Sequence, residues 1–429
     1  MTRAPANSGA TGLRKIVFVN RYFFPDQSAT SRMLSDLAFR LARRGLSVAV
    51  VTSRQLYDDP LANLPANAVA EGVVIHRVAT ATRGRSSLSG RALDYASFYA
   101  ASGWKLLQIL SRGDVVVAKT DPPLVSIPVS RAAGWKGAVL VNWLQDLFPE
   151  VVSALSPGAV PKWSDELLLA ARDRSLRRAG KNIVLSEAMR QRLLKRGIEA
   201  ARILTIPNWA DTDSIVPRAT GESTIRRSLG LEGRFVLGYS GNFGRAHEFE
   251  TLLGAARLLR TDPGMAFLMT GAGARAGSLQ QAVQREGLTS FVFQDYQPPQ
   301  MLSDSMAASD VHLVSLLPSL EGLIVPSKVY GILAAGRPTV FVGDLQGDVA
   351  SLIRKHDCGI AVAVADSEGL ARQLRSLRDD PARLESMGRR ARQLALEQFN
   401  GEQALAQWLE FLEPLSSAVR AVPGLRAAL

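Results

Sequence analysis

Lys15-Ile16-Val17-Phe18-Val19-Asn20 is an apolar run too short for a helix and suited to a strand buried on both faces. The loop Phe24-Pro25-Asp26-Gln27-Ser28-Ala29-Thr30 follows it. Met33, Leu34, Leu37, Ala38 and Leu41 then recur at helical spacing, and Arg43, Arg44 and Gly45 mark the helix end. Ser47 to Val51 is a second strand. Strand, loop, helix, strand is a βαβ unit, which commits the chain to a parallel sheet. Asp114–Ala118, Ala138–Asn142 and Asn182–Ser186 extend the pattern, which restarts at Phe235–Ser240 with the tight loop Gly241-Asn242-Phe243-Gly244 and a helix over Phe249–Leu259. Ala266–Thr270 ends in Gly271-Ala272-Gly273, and Val311–Ser315 and Thr339–Val342 follow. The spacing predicts an α/β protein of two doubly wound domains, residues 1–213 and 214–399, facing a central cleft. Ligands of such sheets bind at the carboxyl ends of the strands. Asn208 to Glu232 reads as a polar, loop-like junction, and the helical segment 400–429 is expected to cross back to the first domain.

Charge divides unevenly between the halves. Met1 to Asp213 carries 29 Lys+Arg against 17 Asp+Glu, whereas Ser214 to Leu429 carries 22 of each, so the net +12 belongs to the first half. A one-sided field of this kind favours a polyanion: an anionic membrane, a phosphorylated carrier or a nucleic acid. The chain shows no recognisable nucleic-acid module or regular aromatic platform, so nucleic acid is not an expected partner. Arg83, Arg85, Arg91, Lys105 and Arg112 flank Leu88, Leu93, Tyr95, Phe98, Tyr99, Trp104, Leu106 and Leu107. This segment, 83–112, reads either as lying in a lipid headgroup region or as an ordinary helix with its apolar side in the core. Arg172, Arg174, Arg177, Arg178 and Lys181, with Arg190, Arg192, Lys195 and Arg196, form a second basic face. There is no spanning run of about 18 uncharged apolar residues. The first fifteen residues lack the apolar centre of a secretory signal, and the single cysteine, Cys358, permits no internal disulfide. The expected location is cytoplasmic, peripheral on the inner face of the plasma membrane.

Three segments can carry chemistry. Gly241-Asn242-Phe243-Gly244-Arg245 ends a strand and runs toward a helix, where backbone N–H groups favour phosphate and Arg245 adds a permanent planar charge. Gly271 and Gly273 end the next strand in the same way. The stretch from Glu321 to Pro338 places Pro326 at a first helical position, with Ser327 and Lys328 in the first turn. A lysine there opposes the helix dipole and calls for an anion nearby. Gly331, Ala334, Ala335 and Gly336 would let this helix approach its neighbours closely, and Glu321 is placed to accept hydrogen bonds from the hydroxyls of a polyol. Asp211-Thr212-Asp213 has a two-carboxylate spacing but lies in the junction. His76, His247, His312 and His356 are scattered without metal-ligand spacing, and His247 stands apart because it follows the phosphate-type loop. Neither metal nor cofactor is expected.

Taken in order, Tyr22-Phe23-Phe24-Pro25, Lys119-Thr120-Asp121-Pro122-Pro123, Trp143-Leu144-Gln145-Asp146-Leu147-Phe148-Pro149-Glu150, Ile206-Pro207-Asn208-Trp209, Ser240 to Arg245 and Glu321 to Pro338 resemble family 4 of the GT-B glycosyltransferases. Within it they are most similar to the WbuB-like branch of O-antigen and exopolysaccharide synthesis. The resemblance implies two Rossmann-like domains and retaining, metal-independent transfer from a nucleotide sugar, UDP-linked and N-acetylated at family level. It also implies a polyprenyl-diphosphate-linked acceptor at an anionic membrane surface. The family pattern has two Glu eight positions apart; here Glu321 stands, and the second position falls on Gly331, with Lys328 the nearest charge. The usual Arg and Lys of the diphosphate site fall on Asn242 and His247, with Arg245 as the basic substitute, and the Gly pair of the first loop is Ser28-Ala29.

On this reading Gly241, Asn242, Arg245 and Lys328 hold the donor diphosphate, with His247, Gly271, Gly273 and Ser327 close by. Glu321 orients the donor sugar, and Asp146 lies near the reacting centre. Ser28, Thr30 and Asp121 belong to the acceptor side. A sugar-nucleotide epimerase of the same fold would need no membrane-facing basic domain, and a non-catalytic basic scaffold would have no use for Glu321 and Lys328.

Overall fold

The computed structural model describes residues 15–83, 88–158 and 161–418. Arg85 and the 419–429 end of the last segment lie outside them. The first half runs β1 (Ile16–Val19), α1 (Ala29–Arg43), β2 (Val48–Ser53), β3 (Asn67–Ala70), β4 (Val73–Val78), α2 (Leu88–Ile109), β5 (Val115–Lys119), α3 (Ser126–Lys136), β6 (Val139–Trp143), α4 (Glu150–Leu155), α5 (Lys162–Arg178), β7 (Lys181–Val184), α6 (Glu187–Lys195) and β8 (Ile203–Thr205). The second runs α7 (Thr224–Ser228), β9 (Phe235–Ser240), α8 (Glu250–Leu258), β10 (Met265–Thr270), α9 (Ala276–Arg285), β11 (Phe291–Gln294), α10 (Leu302–Ala307), β12 (Val311–Ser315), α11 (Lys328–Ala334), β13 (Thr339–Gly343), α12 (Asp348–His356), β14 (Gly359–Ala363), α13 (Ser367–Arg378), α14 (Pro381–Gln398) and α15 (Gly401–Ala418).

The strands form two sheets, ordered β3-β4-β2-β1-β5-β6-β7-β8 and β11-β10-β9-β12-β13-β14. Every pairing is parallel except β3 with β4. β1, β2, β5, β10, β12 and β13 are buried at every position, as helices on both faces of a parallel sheet require. Each sheet reverses its order of growth once, between β1 and β5 in the first and between β9 and β12 in the second. Those two gaps are where the strand-end loops diverge and leave a crevice.

The junction differs from its polar reading. Trp209, Ala210, Ile215, Ile225 and Leu231 within it are buried, and α7 forms there. Trp209 stacks on Trp143 with ring centroids 6.1 Å apart, and its Nε1 donates to Asp36 at 2.6 Å. The chain returns beside this connection, with Ala210 N donating to the Phe399 carbonyl at 2.9 Å, and α15 then packs on α1. The two halves also share one apolar cluster, in which Leu147, Met189 and Leu193 meet Leu320, Leu323 and Tyr330. Leu147 N donates to Leu323 O at 2.9 Å, and Arg192 Nη2 donates to the Glu321 carbonyl at 2.6 Å.

Segment 83–112 is a core helix over its described part. Phe98 and Leu106 of α2, and Leu110 just after it, are buried against β1 and β5, and the Tyr99 hydroxyl donates to the Pro123 carbonyl. Its aromatics therefore face inward, with Trp104 the exception.

Candidate active site

The second crevice holds a half-buried lysine amine. The Lys328 amine donates to the Tyr239 hydroxyl at 2.6 Å and stands 3.8 Å above that ring, with His247 Nε2 at 3.5 Å. Tyr239 is the last residue but one of β9, Lys328 opens α11, and His247 is fixed by Ser315 at the end of β12, so the cluster occupies the switch point of the second sheet. Because the Ser315 carbonyl is 2.7 Å from His247 Nδ1, that nitrogen carries the proton and Nε2 is left as an acceptor facing the amine. Burial pulls the Lys328 amine down to about 7. Burial, reinforced by Lys328, pulls His247 down to about 4, so the imidazole is neutral. Among the described residues no carboxylate joins the cluster. Lys328 keeps part of its surface open, so an anion can reach it.

Two glycine loops frame this cation. A Cβ on Gly241 would lie 3.3 Å from the Lys328 amine. The Tyr239 hydroxyl donates to the Asn242 carbonyl at 2.6 Å, which ties the loop to the ring beneath the cation. Gly271 and Gly273 have φ of +130° and +151°, and a Cβ on either would strike Gly241 O at 2.1 Å or Asn242 Oδ1 at 2.3 Å. Their loop is thus the wall against which the 241–243 loop is shaped. Arg245 is exposed, without a hydrogen bond or ion pair among the described residues. Ser327 is exposed and is the N-cap of α11. Pro326 precedes it instead of opening the helix, and its carbonyl accepts from Val329 N at 3.2 Å in the turn that leads into α11. Gly331 does not serve close packing, because a Cβ there would meet nothing within 4 Å.

The first crevice holds a second amine, fully buried. Lys119 ends β5, donates to the Thr30 carbonyl at 3.0 Å and lies 3.8 Å over the Trp143 ring. Asp121 and Asp146 are its charged neighbours; burial holds the amine well below its usual value and the two carboxylates partly restore it. Burial, with Asp121 adding repulsion, pushes Asp146 up to about 6, and Lys119 opposes the rise. Asp146 retains a partly open surface. Ser28 joins the same region through Asp26 Oδ1, which accepts from its backbone N at 2.9 Å. The residues assigned to the acceptor side are thereby gathered at the β1–β5 switch point. Asp146 also pairs by backbone with Ile324, so this cluster abuts the segment leading to Lys328.

Two family profiles match the chain in tandem. The Glycosyl transferase 4-like domain covers residues 28–209, and Glycosyl transferases group 1 covers residues 234–380. The chain belongs to family 4 of the GT-B glycosyltransferases. The transferase is 28% identical over 319 residues to the glycosyltransferase WbjE of Pseudomonas aeruginosa, covering 73% of this chain and 78% of that protein. It is 26% identical over 365 residues to the colanic acid biosynthesis glycosyl transferase WcaI of Escherichia coli, covering 82% and 88%. HepE of Anabaena in complex with UDP and glucose superposes with a TM-score of 0.70 at 18% identity, over 92% of this chain and 98% of that one. Sucrose-phosphate synthase of Thermosynechococcus elongatus gives 0.73 at 18%, over 94% and 100%. These structures share the two-domain fold with the transferase.

Glu321 of the transferase lies apart from the Lys328 cluster. Its Oε1 accepts from Asp348 N at 2.9 Å, at the start of α12, and burial together with Asp348 and Asp344 raises its pKa. Asp211 accepts from the backbone of Asp213 and Ser214, which is a loop-capping role. Among the described residues no group of three or more His, Cys, Asp or Glu is placed to hold a metal. Sequence reasoning passed over Lys119, whose signal was a lysine closing an otherwise apolar strand. It also passed over Tyr239, which looked like one more strand residue, and over Arg275, whose Nη1 donates to the His247 carbonyl at 2.7 Å.

Proposed function

We propose that the transferase moves a sugar, with retention of configuration, from a nucleotide-diphosphate donor in the second domain to a polyprenyl-diphosphate-linked acceptor at the first. The product belongs to a surface polysaccharide. The observation that carries this reading is Lys328, a half-buried amine under a glycine loop with no carboxylate beside it among the described residues. A diphosphate supplies the missing counter-charge, and Arg245 is free to close over it from the same loop. With both cations on the leaving group, the reaction needs no divalent metal. Glu321 keeps one oxygen for a donor-sugar hydroxyl while Asp348 N–H holds the other. As the anomeric carbon exchanges its diphosphate oxygen for the acceptor oxygen, the acceptor proton passes to Asp146, whose pKa of about 6 suits a base at neutral pH. HepE, a fold relative solved with UDP and with UDP-glucose, supports a UDP-type donor, and WcaI supports the polysaccharide context.

The test is titration of UDP and UDP-sugars by calorimetry and thermal shift, with Arg245→Ala and Lys328→Ala beside the wild type. UDP is expected to bind the wild type, and each variant to lose at least about tenfold in affinity, or 1.4 kcal/mol. Equal stabilisation of all three proteins would remove the diphosphate assignment.

A further inference from the structure

The start of α6 belongs to the first domain and touches the second. A helix start leaves its first N–H groups without partners inside the helix. Ser186, the N-cap of α6, accepts from Met189 N at 3.3 Å. Ala188 N finds its acceptor in the other domain, Asp348 Oδ1 at 3.2 Å, in the first turn of α12. The N-cap of α12 is Gly347, which has no side chain to offer, and Asp348 N donates instead to Glu321 Oε1 at 2.9 Å. Each helix start is thus completed by a carboxylate from elsewhere in the chain: Asp348 for α6 and Glu321 for α12.

The circuit closes on Glu321. Arg192 lies one turn beyond Ala188 on the same side of α6, and its Nε and Nη2 both donate to the Glu321 carbonyl, at 3.2 and 2.6 Å. One face of α6 therefore holds Glu321 at two points, at the carbonyl through Arg192 and at the carboxylate through Asp348. Two glycines make room for this approach. Gly322 has a φ of +71°, and a Cβ there would lie 3.0 Å from the Ala188 carbonyl oxygen; a Cβ on Gly347 would lie 2.4 Å from Glu321 Oε2. Arg192 is exposed, and its guanidinium makes no other hydrogen bond or ion pair among the described residues. Glu321 Oε2 accepts no hydrogen bond among them either, whereas Oε1 is spent on α12.

We propose that Arg192 is a positioning residue for the donor sugar: reaching over from the first domain, it fixes the backbone at Glu321 so that Oε2 meets a sugar hydroxyl. Two N–H groups on one carbonyl oxygen set its direction as well as its distance, which the point charge of a lysine does not. The chain beyond Glu321 is held to the first domain again before it reaches Lys328, with Leu147 N on Leu323 O at 2.9 Å and Asp146 paired with Ile324. Loss of the Arg192 fork leaves those contacts and Lys328 in place, so the diphosphate still binds while the sugar is held loosely. The sugar is then aimed only when the two domains are together, which is also when an acceptor can reach it. The inference rests on the reading of Glu321 as the donor-sugar residue and adds that the acceptor domain sets its aim.

The experiment is calorimetry with UDP, together with the slow hydrolysis of a panel of UDP-hexoses and UDP-N-acetylhexosamines by the full chain. Water takes the acceptor's place in that reaction, and UDP and free sugar are released. The wild type is compared with R192M, R192K, E321Q and R192M/E321Q on the donor that it hydrolyses fastest. R192M should bind UDP within twofold of the wild type, melt at the same temperature and hydrolyse the donor about ten- to a hundredfold more slowly. R192K should recover part of that rate. E321Q should lose at least as much as R192M, and the double variant should be no slower than E321Q alone. A double variant whose loss is the product of the two single losses overturns the proposal, because Arg192 would then act independently of Glu321. So does an R192M variant that hydrolyses the donor at the wild-type rate, or one that loses UDP affinity and melting temperature together, which marks a purely structural contact between the domains. A wild type that binds no UDP, or hydrolyses none of the donors, counts against the functional reading instead.

Discussion

At Lys328 the folded chain keeps an amine under cover with a phenol and an imidazole for neighbours. Removing an ammonium from water costs several kcal/mol unless a counter-charge accompanies it, so the ligand-free protein favours the neutral amine. With the folded value near 7 and the ordinary value 10.5, the unfolded chain holds a proton between those pH values that the folded chain has released. Stability of the ligand-free protein therefore rises with pH across that window, and below pH 7 the desolvation cost is felt in full. A bound diphosphate reverses the preference, because it stabilises the ammonium. UDP binding at pH 8 should thus take up about one proton. Calorimetry in buffers of different ionisation enthalpy measures that uptake directly, and Lys328→Met should abolish it while flattening the rise in urea midpoint between pH 7 and 9. An uptake of zero in the wild type would mean that the diphosphate sits elsewhere. His247, neutral above about pH 4 in the ligand-free protein, adds nothing to the rise in stability across this window.

The loops that frame the cation work as a pair of elements. Gly241 N donates to Thr270 O at 3.0 Å and Phe243 N to Ala272 O at 2.9 Å, so the loop after β9 is laid on the loop after β10. Gly271→Ala puts a methyl 2.1 Å from Gly241 O at a φ that side chains avoid. It should cost about 1–3 kcal/mol in urea unfolding and lower UDP affinity with it. Gly244→Ala, whose nearest atom would be 3.4 Å away, is the matched control and should change neither. These loops were legible in the sequence because a fully buried parallel strand writes a continuous apolar run that ends abruptly at glycine. The strands that were not legible are edge or near-edge ones. β3 alternates exposed and half-buried positions; Phe291-Val292-Phe293 of β11 and Ile360 to Ala363 of β14 are apolar but short, and the reading passed over them, β11 having no buried residue and β14 alternating. The junction misled for a related reason. Its buried Trp209, Ile215 and Ile225 are spaced among Asp, Thr, Ser and Pro, and only the tertiary partners show that it is packed. The pairing of Lys119 with Asp121 and Asp146 joins the ends of two strands, which no local spacing reveals.

On the scale of the whole molecule, the last helix belongs to one domain by chain order and to the other by packing. α15 follows α14 of the second domain, yet Trp408 is fully buried against Trp143 at 4.9 Å, Phe18 at 6.1 Å and Phe411 at 5.2 Å, on the face of the first sheet that α1 covers. Arg40 of α1 and Arg44 just beyond it both pair with Glu402, but Glu402 is exposed and each contact is worth less than about a kcal/mol, so the indole is the anchor. Trp408→Ala leaves a cavity among aromatic rings and should cost about 3–5 kcal/mol. The tryptophans make this measurable by domain. No tryptophan lies between Ser214 and Phe399, so tryptophan fluorescence, excited selectively where tyrosine does not absorb, reports the first half and α15 alone. In guanidinium titrations the fluorescence transition of the variant should move to lower denaturant by that amount, while UDP affinity in native buffer, which reads the second crevice, stays within twofold. A fluorescence shift below about 1 kcal/mol would mean that the crossing helix is held by its two ends and not by Trp408, and the return of the chain would then be a tether between the domains instead of part of the first domain's core.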